Sequence, residues 1–151
     1  MKKTEKAYVE QPIGRKLSSL GRNFLSGLNQ KLHNLDIKRN FYALLLIENA
    51  EGNITQQELA DLLDTDKVSI VRIVDYLSDN GYVKRIRNSK DKRKYSLVLT
   101  KKAKKETSKI QLAINEITSS AFKGISDSQK QIFYKTLESI KKNLNAYNQS
   151  I

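Results

Sequence analysis

The chain has 151 residues, 38% hydrophobic and 29% charged, which is one domain's worth of ordinary globular composition. Twenty-eight Lys and Arg against 16 Asp and Glu leave a net charge of +12, which points to a polyanionic partner, nucleic acid first and an anionic membrane surface second. The absence of cysteine excludes disulfides, thiolate zinc sites and thiol redox sensing, and a single histidine argues against a histidine-rich metal site, so neither metal nor cofactor is expected.

The basic start at Lys2, Lys3 and Lys6 has no apolar stretch behind it, so no signal peptide is expected and the protein reads as soluble and cytoplasmic. From Ile13 onward Leu17, Leu20, Phe24, Leu28, Leu32 and Leu35 fall three or four apart, one stripe of a long amphipathic helix that Pro12 opens. His33 lies on it as a surface or interface residue. A short hydrophobic helix follows over residues 39–50, and Gly52 ends it. Its run Phe41 to Ile47 is the longest apolar stretch, far short of the roughly 20 residues a membrane span needs.

Thr55-Gln56-Gln57-Glu58 is a capping box, and the short helix it opens is expected to bury Leu59, Leu62 and Leu63, with Ala60 leaving room for a close neighbour. Asp66 caps the next helix, where Ile70, Ile73, Val74 and Leu77 follow the i, i+3, i+4, i+7 rule and Gly81 closes the end in a left-handed conformation. Two short helices with a tight turn make a helix-turn-helix. Residues 82–87 and 94–99 then read as two strands, with Tyr95, Leu97 and Leu99 alternating against Lys94, Ser96 and Val98. The polar turn 88–93 between them makes this hairpin a wing.

A long helix is expected from Thr100 to about Lys123, ended by Gly124. Ser126-Asp127-Ser128-Gln129 is a second capping box, and after it Phe133, Leu137, Ile140, Leu144 and Tyr147 form a heptad seam. That seam and the stripe of the first helix both need partners, which predicts a twofold-symmetric homodimer built from both termini. The fold class is therefore mainly α with a small β-hairpin wing. It is read as a single domain over residues 1–151, with dimerisation helices at 11–36 and 101–150 and a winged helix-turn-helix lobe at 37–100.

Charge sharpens the functional reading. Residues 66–105 hold 13 basic and 4 acidic side chains, a net +9, whereas residues 36–65 hold 2 and 6, a net −4. A surface charged only for solubility would intersperse its signs. No glycine-rich phosphate loop, no nucleophile with an adjacent base and no metal-ligand cluster is evident, so an enzyme is not expected.

The stretch Thr55 to Lys102 resembles the MarR family of bacterial winged-helix transcription regulators. The residues that carry the likeness are Thr55 with Glu58-Leu59-Ala60, the helix Ser69 to Leu77, Gly81-Tyr82-Val83-Lys84-Arg85, Asp91-Lys92-Arg93, and Leu99-Thr100. The resemblance implies a homodimeric repressor on a pseudo-palindromic DNA site. It also implies release by a small aromatic or phenolic effector bound between the dimerisation helices and the lobe. Phe24, Phe41 and Tyr42 either line such a pocket or fill the core.

A recognition helix places its N-terminal residues near base edges. With Ile70, Ile73, Val74 and Leu77 inward, Lys67, Val68, Ser69, Val71, Arg72 and Tyr76 lie outside or at the flanks. Arg72 suits a bidentate contact to guanine or a phosphate contact, and Val68 and Val71 either meet thymine methyls or pack on the preceding helix. Ser69 can bond phosphate or base. On the wing, Arg93 matches the family's Asp-x-Arg arrangement, whose arginine enters the minor groove. Asp91 either holds that guanidinium or caps its own turn. Lys84, Arg87, Lys90, Lys92 and Lys94 supply charge for phosphates, Arg85 contacts DNA or ties the wing to the helices, and Thr55 and Gln56 sit at a helix start that attracts phosphate. The rival class is a basic dimeric interaction or membrane-surface module without sequence-specific DNA binding.

Overall fold

A computed structural model describes residues 10–35 and 37–151, so the basic start of the chain and Asp36 lie outside the described residues. The element order is α1 (Ile13–Lys31), α2 (Phe41–Asn49), β1 (Ile54–Thr55), α3 (Gln56–Leu62), α4 (Lys67–Asp79), β2 (Val83–Arg87), β3 (Tyr95–Leu99), α5 (Lys101–Ala121) and α6 (Asp127–Gln149). Two compact units divide the chain, one ending at Asn115 and the other spanning Glu116–Ile151, with the boundary inside α5.

In the first unit each helix ends where local chemistry tells it to. Pro12 is the N-cap of α1, and the helix stops at Lys31, so Leu32 and Leu35 continue the stripe beyond the helix. Leu28 and Leu32 are buried, whereas Ile13 and Leu20 stay exposed. Thr55 and Glu58 form both halves of the capping box of α3: the Glu58 N–H donates to Thr55 Oγ1 at 3.3 Å and the Thr55 N–H donates to Glu58 Oε2 at 2.7 Å. The turn into α4 is closed by the Thr65 N–H donating to the Ala60 carbonyl at 3.0 Å, with Asp64 in the left-handed region at φ 49°. At the end of α4, Gly81 sits at φ 75°, with its N–H on the Ser78 carbonyl and the Tyr82 N–H on the Leu77 carbonyl. That Schellman pair throws the chain straight into β2.

The hairpin is only part of the sheet. Ile54 and Thr55 add a third antiparallel strand, giving the order β1-β3-β2 with Ile54 opposite Leu97 and Val83 opposite Leu99. The expected simple alternation on β3 is corrected by this pairing. β3 is central, so Ser96 is fully buried along with Leu97 and Leu99, while Tyr95 is half exposed. Gly52 (φ 83°) lets the chain pass close over the sheet, because a Cβ there would meet Val98 Cγ1 at 3.3 Å.

Leu44, Leu59, Ala60, Val74, Leu77, Ala103 and Ile110 are wholly buried and form the core beneath the sheet and the helix-turn-helix. Leu62 is a correction: expected inside, it is 56% exposed, because α3 lasts only seven residues and presents its last leucine to solvent. Phe41 fills the core and Tyr42 faces outward. Thr107, unremarked in the sequence, is buried on α5, where its hydroxyl donates to Glu48 Oε1 at 2.7 Å and so ties α5 to α2.

In the second unit Gly124 (φ 80°) turns the chain, and the Ser126–Gln129 capping box opens α6. Phe122 packs edge-on against Phe133 at 6.0 Å between ring centroids and against Tyr134 at 5.8 Å. No residue of α6 is buried.

Candidate nucleic-acid interface

The first turn of α4 is held by one carboxylate. Asp66 Oδ1 accepts the N–H groups of Val68 (2.9 Å) and Ser69 (2.8 Å), and its Oδ2 accepts the Ser69 hydroxyl at 2.8 Å. These bonds, led by those from Ser69, hold the Asp66 carboxyl below its usual range. The Ser69 hydroxyl is therefore engaged by the cap. Because Ile70, Val74 and Leu77 are sunk in the core, the opposite face offers Lys67, Val68, Val71 and Arg72 to solvent, with Val68 62% exposed. The two valines do not disappear against α3. Tyr76 is half-buried on the flank, where the Lys38 ammonium stands 4.2 Å from its ring centroid.

The wing owes its shape to a residue that sequence inspection passed over. Asn88 is buried, its Oδ1 accepts the N–H groups of Lys90 (2.8 Å) and Asp91 (2.9 Å), and its Nδ2 donates to Ser96 Oγ at 2.7 Å. An asparagine opening a polar turn is a known turn former, and that was the signal available. Asp91 does both things considered for it: Oδ1 accepts the Arg93 N–H at 3.0 Å and Nε at 3.2 Å. The Arg93 bonds lower the Asp91 pKa, and the Arg93 side chain remains 90% exposed at the tip. Lys90, Lys92 and Lys94 are exposed beside it in the chain, and Lys84 is exposed toward the other end of the hairpin, opposite Val98.

Arg85 takes the tying role. Its Nη2 donates to Asp75 Oδ1 on α4 at 2.6 Å and to Gln56 Oε1 on α3 at 3.2 Å, so one guanidinium joins wing, recognition helix and first motif helix. Arg87 lies over the Tyr95 ring, 4.6 Å from its centroid, and donates to the Lys92 carbonyl at 2.9 Å. Thr100 fixes the far end of the hairpin, its hydroxyl donating to the Gly81 carbonyl at 2.6 Å and accepting the Ala103 N–H at 3.2 Å. The sequence-chosen residues Thr55, Gln56, Lys67, Arg85 and Lys94 converge on one concavity, joined by Tyr95, which the strand pattern alone places only as a strand residue. Arg72 stands apart on the exposed side of α4, and Arg93 at the wing tip.

The family model described as MarR family matches residues 34–94, from before α2 through the helix-turn-helix and β2 to the end of the wing turn. A MarR transcriptional regulator from Methanosarcina mazei Go1 is 30% identical, with a TM-score of 0.75 over 89% of this chain and 97% of its own. The chain belongs to the MarR family. MarR proteins are transcription regulators rather than enzymes. Among similar MarR structures, one from Peptoclostridium difficile is 25% identical, with a TM-score of 0.82 over 100% of this chain and 99% of its own. A putative MarR family regulator from Listeria monocytogenes, solved with a 26mer DNA, shares the fold at 23% identity, with a TM-score of 0.80 over 89% of this chain and 90% of its own. The MarR winged helix is thus this protein's architecture, three-stranded sheet included.

Proposed function

We propose that this MarR-family protein is a cytoplasmic homodimer that binds a pseudo-palindromic double-stranded DNA site and represses transcription there. A small aromatic or phenolic effector, bound between the dimerisation helices and the lobe, releases it. The observation that carries the DNA reading is the exposed first turns of α4, with Lys67, Val68, Val71 and Arg72, standing beside a wing whose Arg93 is 90% exposed. Each valine offers apolar contact to a thymine methyl, Arg72 offers two parallel donors to guanine, and Arg93 suits the negative potential of a narrow minor groove. The fold shared with the DNA-bound Listeria regulator supports a duplex as the ligand.

Dimerisation through residues 11–36 and 101–150 is supported by the apolar side chains those helices leave in water: Ile13 and Leu20 on α1, and Phe133, Leu144 and Tyr147 on α6. A symmetric pair sets its recognition helices about 34 Å apart, one turn of DNA. Family membership supports repression and release by an effector.

Selection of duplexes from a randomised pool, followed by gel shift across a salt series, tests the reading. If some eight phosphates are neutralised, log affinity falls against log salt with a slope of roughly −7, and a monomer gives about half of it. The rival membrane-surface module is tested by pelleting with anionic vesicles. No helix among the described residues is long and apolar enough to cross a membrane. Although Lys101, Lys102, Lys104, Lys105 and Lys109 are exposed along α5, the opposite face of that helix is already buried at Ala103, Thr107 and Ile110 rather than open to a bilayer. Pelleting without any duplex preference would overturn the proposal.

A further inference from the structure

Gln56 at the start of α3, Lys67 at the start of α4, Arg85 on β2, and Lys94 and Tyr95 where β3 begins line a single concave groove. Three of the five are cationic, and only one of those has its charge answered directly. Arg85 is pinned by Asp75 and by the Gln56 oxygen, which also removes that oxygen as a free acceptor. The ammonium groups of Lys67 and Lys94 carry neither a hydrogen bond nor an ion pair among the described residues. Glu58 feels the charge of Lys94, but its carboxylate is already engaged by the Thr55 N–H (2.7 Å) and hydroxyl (2.9 Å).

Tyr95 completes the set. Arg87, anchored on the Lys92 carbonyl, lies over its ring and holds the plane, while the phenol makes no hydrogen bond among the described residues. The polar groups the groove leaves unengaged are therefore mostly donors: two ammonium groups, the Tyr95 hydroxyl, the Gln56 amide N–H groups and the Arg85 nitrogens that Asp75 and Gln56 do not use. Of the base edges in the major groove only that of guanine presents acceptors without a donor, and it carries no charge. A phosphodiester presents two negatively charged acceptor oxygens and nothing else.

We propose that this groove seats one backbone phosphate of each DNA half-site, with Lys67, Lys94 and the Tyr95 hydroxyl donating to its non-bridging oxygens. The Arg85 bridge keeps the groove open before DNA arrives. The seat fixes the register of the recognition helix, because it lies beside the first turn of α4, whose exposed residues face bases. The inference rests on the DNA reading above and adds to it a defined phosphate position and a tyrosine.

The test uses the full chain and a duplex recovered from the randomised pool, carrying one uncharged methylphosphonate linkage that is moved along each strand. For the unaltered protein, one linkage per half-site attributable to the seat is expected to weaken binding by roughly five- to tenfold. Lys67→Gln, Lys94→Gln and Tyr95→Phe are each expected to weaken binding to the normal duplex several-fold, and to show no further loss when that same linkage is neutral. The double variant of Lys67→Gln with Lys94→Gln should also flatten the salt slope by about one for every half-site phosphate it leaves without an ammonium partner. If the variants lose affinity evenly at every linkage, or if Tyr95→Phe binds like the unaltered protein, the seat is overturned while the DNA reading stands. If no duplex is preferred at all, the DNA reading itself has failed.

A second arm separates duplex phosphate from a free one. Inorganic phosphate replaces chloride at constant ionic strength, and the Lys94 and Tyr95 resonances are followed. A duplex seat leaves them in place, whereas saturable shifts abolished by Lys94→Gln would assign the groove to a free phosphate and overturn the proposal. All three side chains are exposed, so circular dichroism of the variants is expected to match that of the unaltered chain.

Discussion

The recognition helix and the last helix carry the same kind of apolar periodicity and meet opposite fates. α4 is 13 residues long and sinks Ile70, Val74 and Leu77 into a core, whereas α6 runs for 23 residues and buries none. In α4 the stripe is a packing surface already in use, so its other face is free to be built for recognition. In α6 Leu144 is 54% and Tyr147 64% exposed, and a helix without a buried face draws little stability from tertiary packing. Periodicity states that a face exists; burial states whether the chain itself covers it.

The largest expected effect breaks this contrast open. Leu77→Ala removes a wholly buried side chain and should lower unfolding stability by about 2–5 kcal/mol, measured by urea denaturation. The same truncation at Leu144 should cost less than about 1 kcal/mol at low protein concentration and weaken the proposed dimer instead. Equal losses in both variants, independent of concentration, would show that α6 is packed within its own chain. Pairing Leu137→Glu with Ile140→Glu should leave a folded monomer by sedimentation, with the salt slope of DNA binding cut to about half.

A smaller effect separates two of the wing arginines. Arg93→Ala removes an exposed tip and should weaken binding by about 1–3 kcal/mol, mostly at A·T-rich flanks, with the thermal midpoint unchanged. Arg85→Ala should lower the midpoint as well, because Asp75 and Gln56 lose their shared donor. Gel shifts against A·T- and G·C-flanked duplexes, read beside melting curves, check both. Identical profiles for the two variants would erase the distinction.

The smallest effects lie at the start of α3. Thr55→Ala should cost about 1 kcal/mol, read from the same urea curves. Glu58 is held below its ordinary pKa of 4.5, first by the Thr55 N–H and then by its hydroxyl. Its contribution is therefore complete above that value and is lost as pH falls through the lowered one. The acid unfolding limb of Thr55→Ala should accordingly start from a lower plateau and fall less steeply below pH 4.5 than that of the unaltered chain. Parallel limbs would show that the hydroxyl does not hold the carboxylate.

Much of this molecule was legible because its decisive interactions are short in sequence. Both capping boxes join residues three apart, the Asp66 cap residues two and three apart, and the Gly81 closure residues three and five apart, so spacing alone locates them. The candidate site was legible in residue type, since cations concentrated in one segment announce an anionic ligand wherever the fold places them. The two-residue strand β1 was not, because Ile54 and Thr55 have no periodicity of their own and become a strand only by pairing with Leu97 and Ser96, some forty residues on. Ser96 and Leu62 defeated the hydrophobic pattern for related reasons: a central strand buries a polar side chain if a partner such as Asn88 meets it, and a two-turn helix runs out before its last leucine can turn inward.

Residue order alone determined where the capped helices begin, that the second half of the motif is cationic, and that two apolar stripes lack an evident mate. Only packing in three dimensions decided which cation is tied down and which is left for a ligand, since Arg85, Lys94 and Arg93 are indistinguishable by composition. Asp75, ten residues away from Arg85, neutralises it through a 2.6 Å contact that exists only when β2 lies against α4. Charge acts through space at a few ångströms, and those distances are set by the fold.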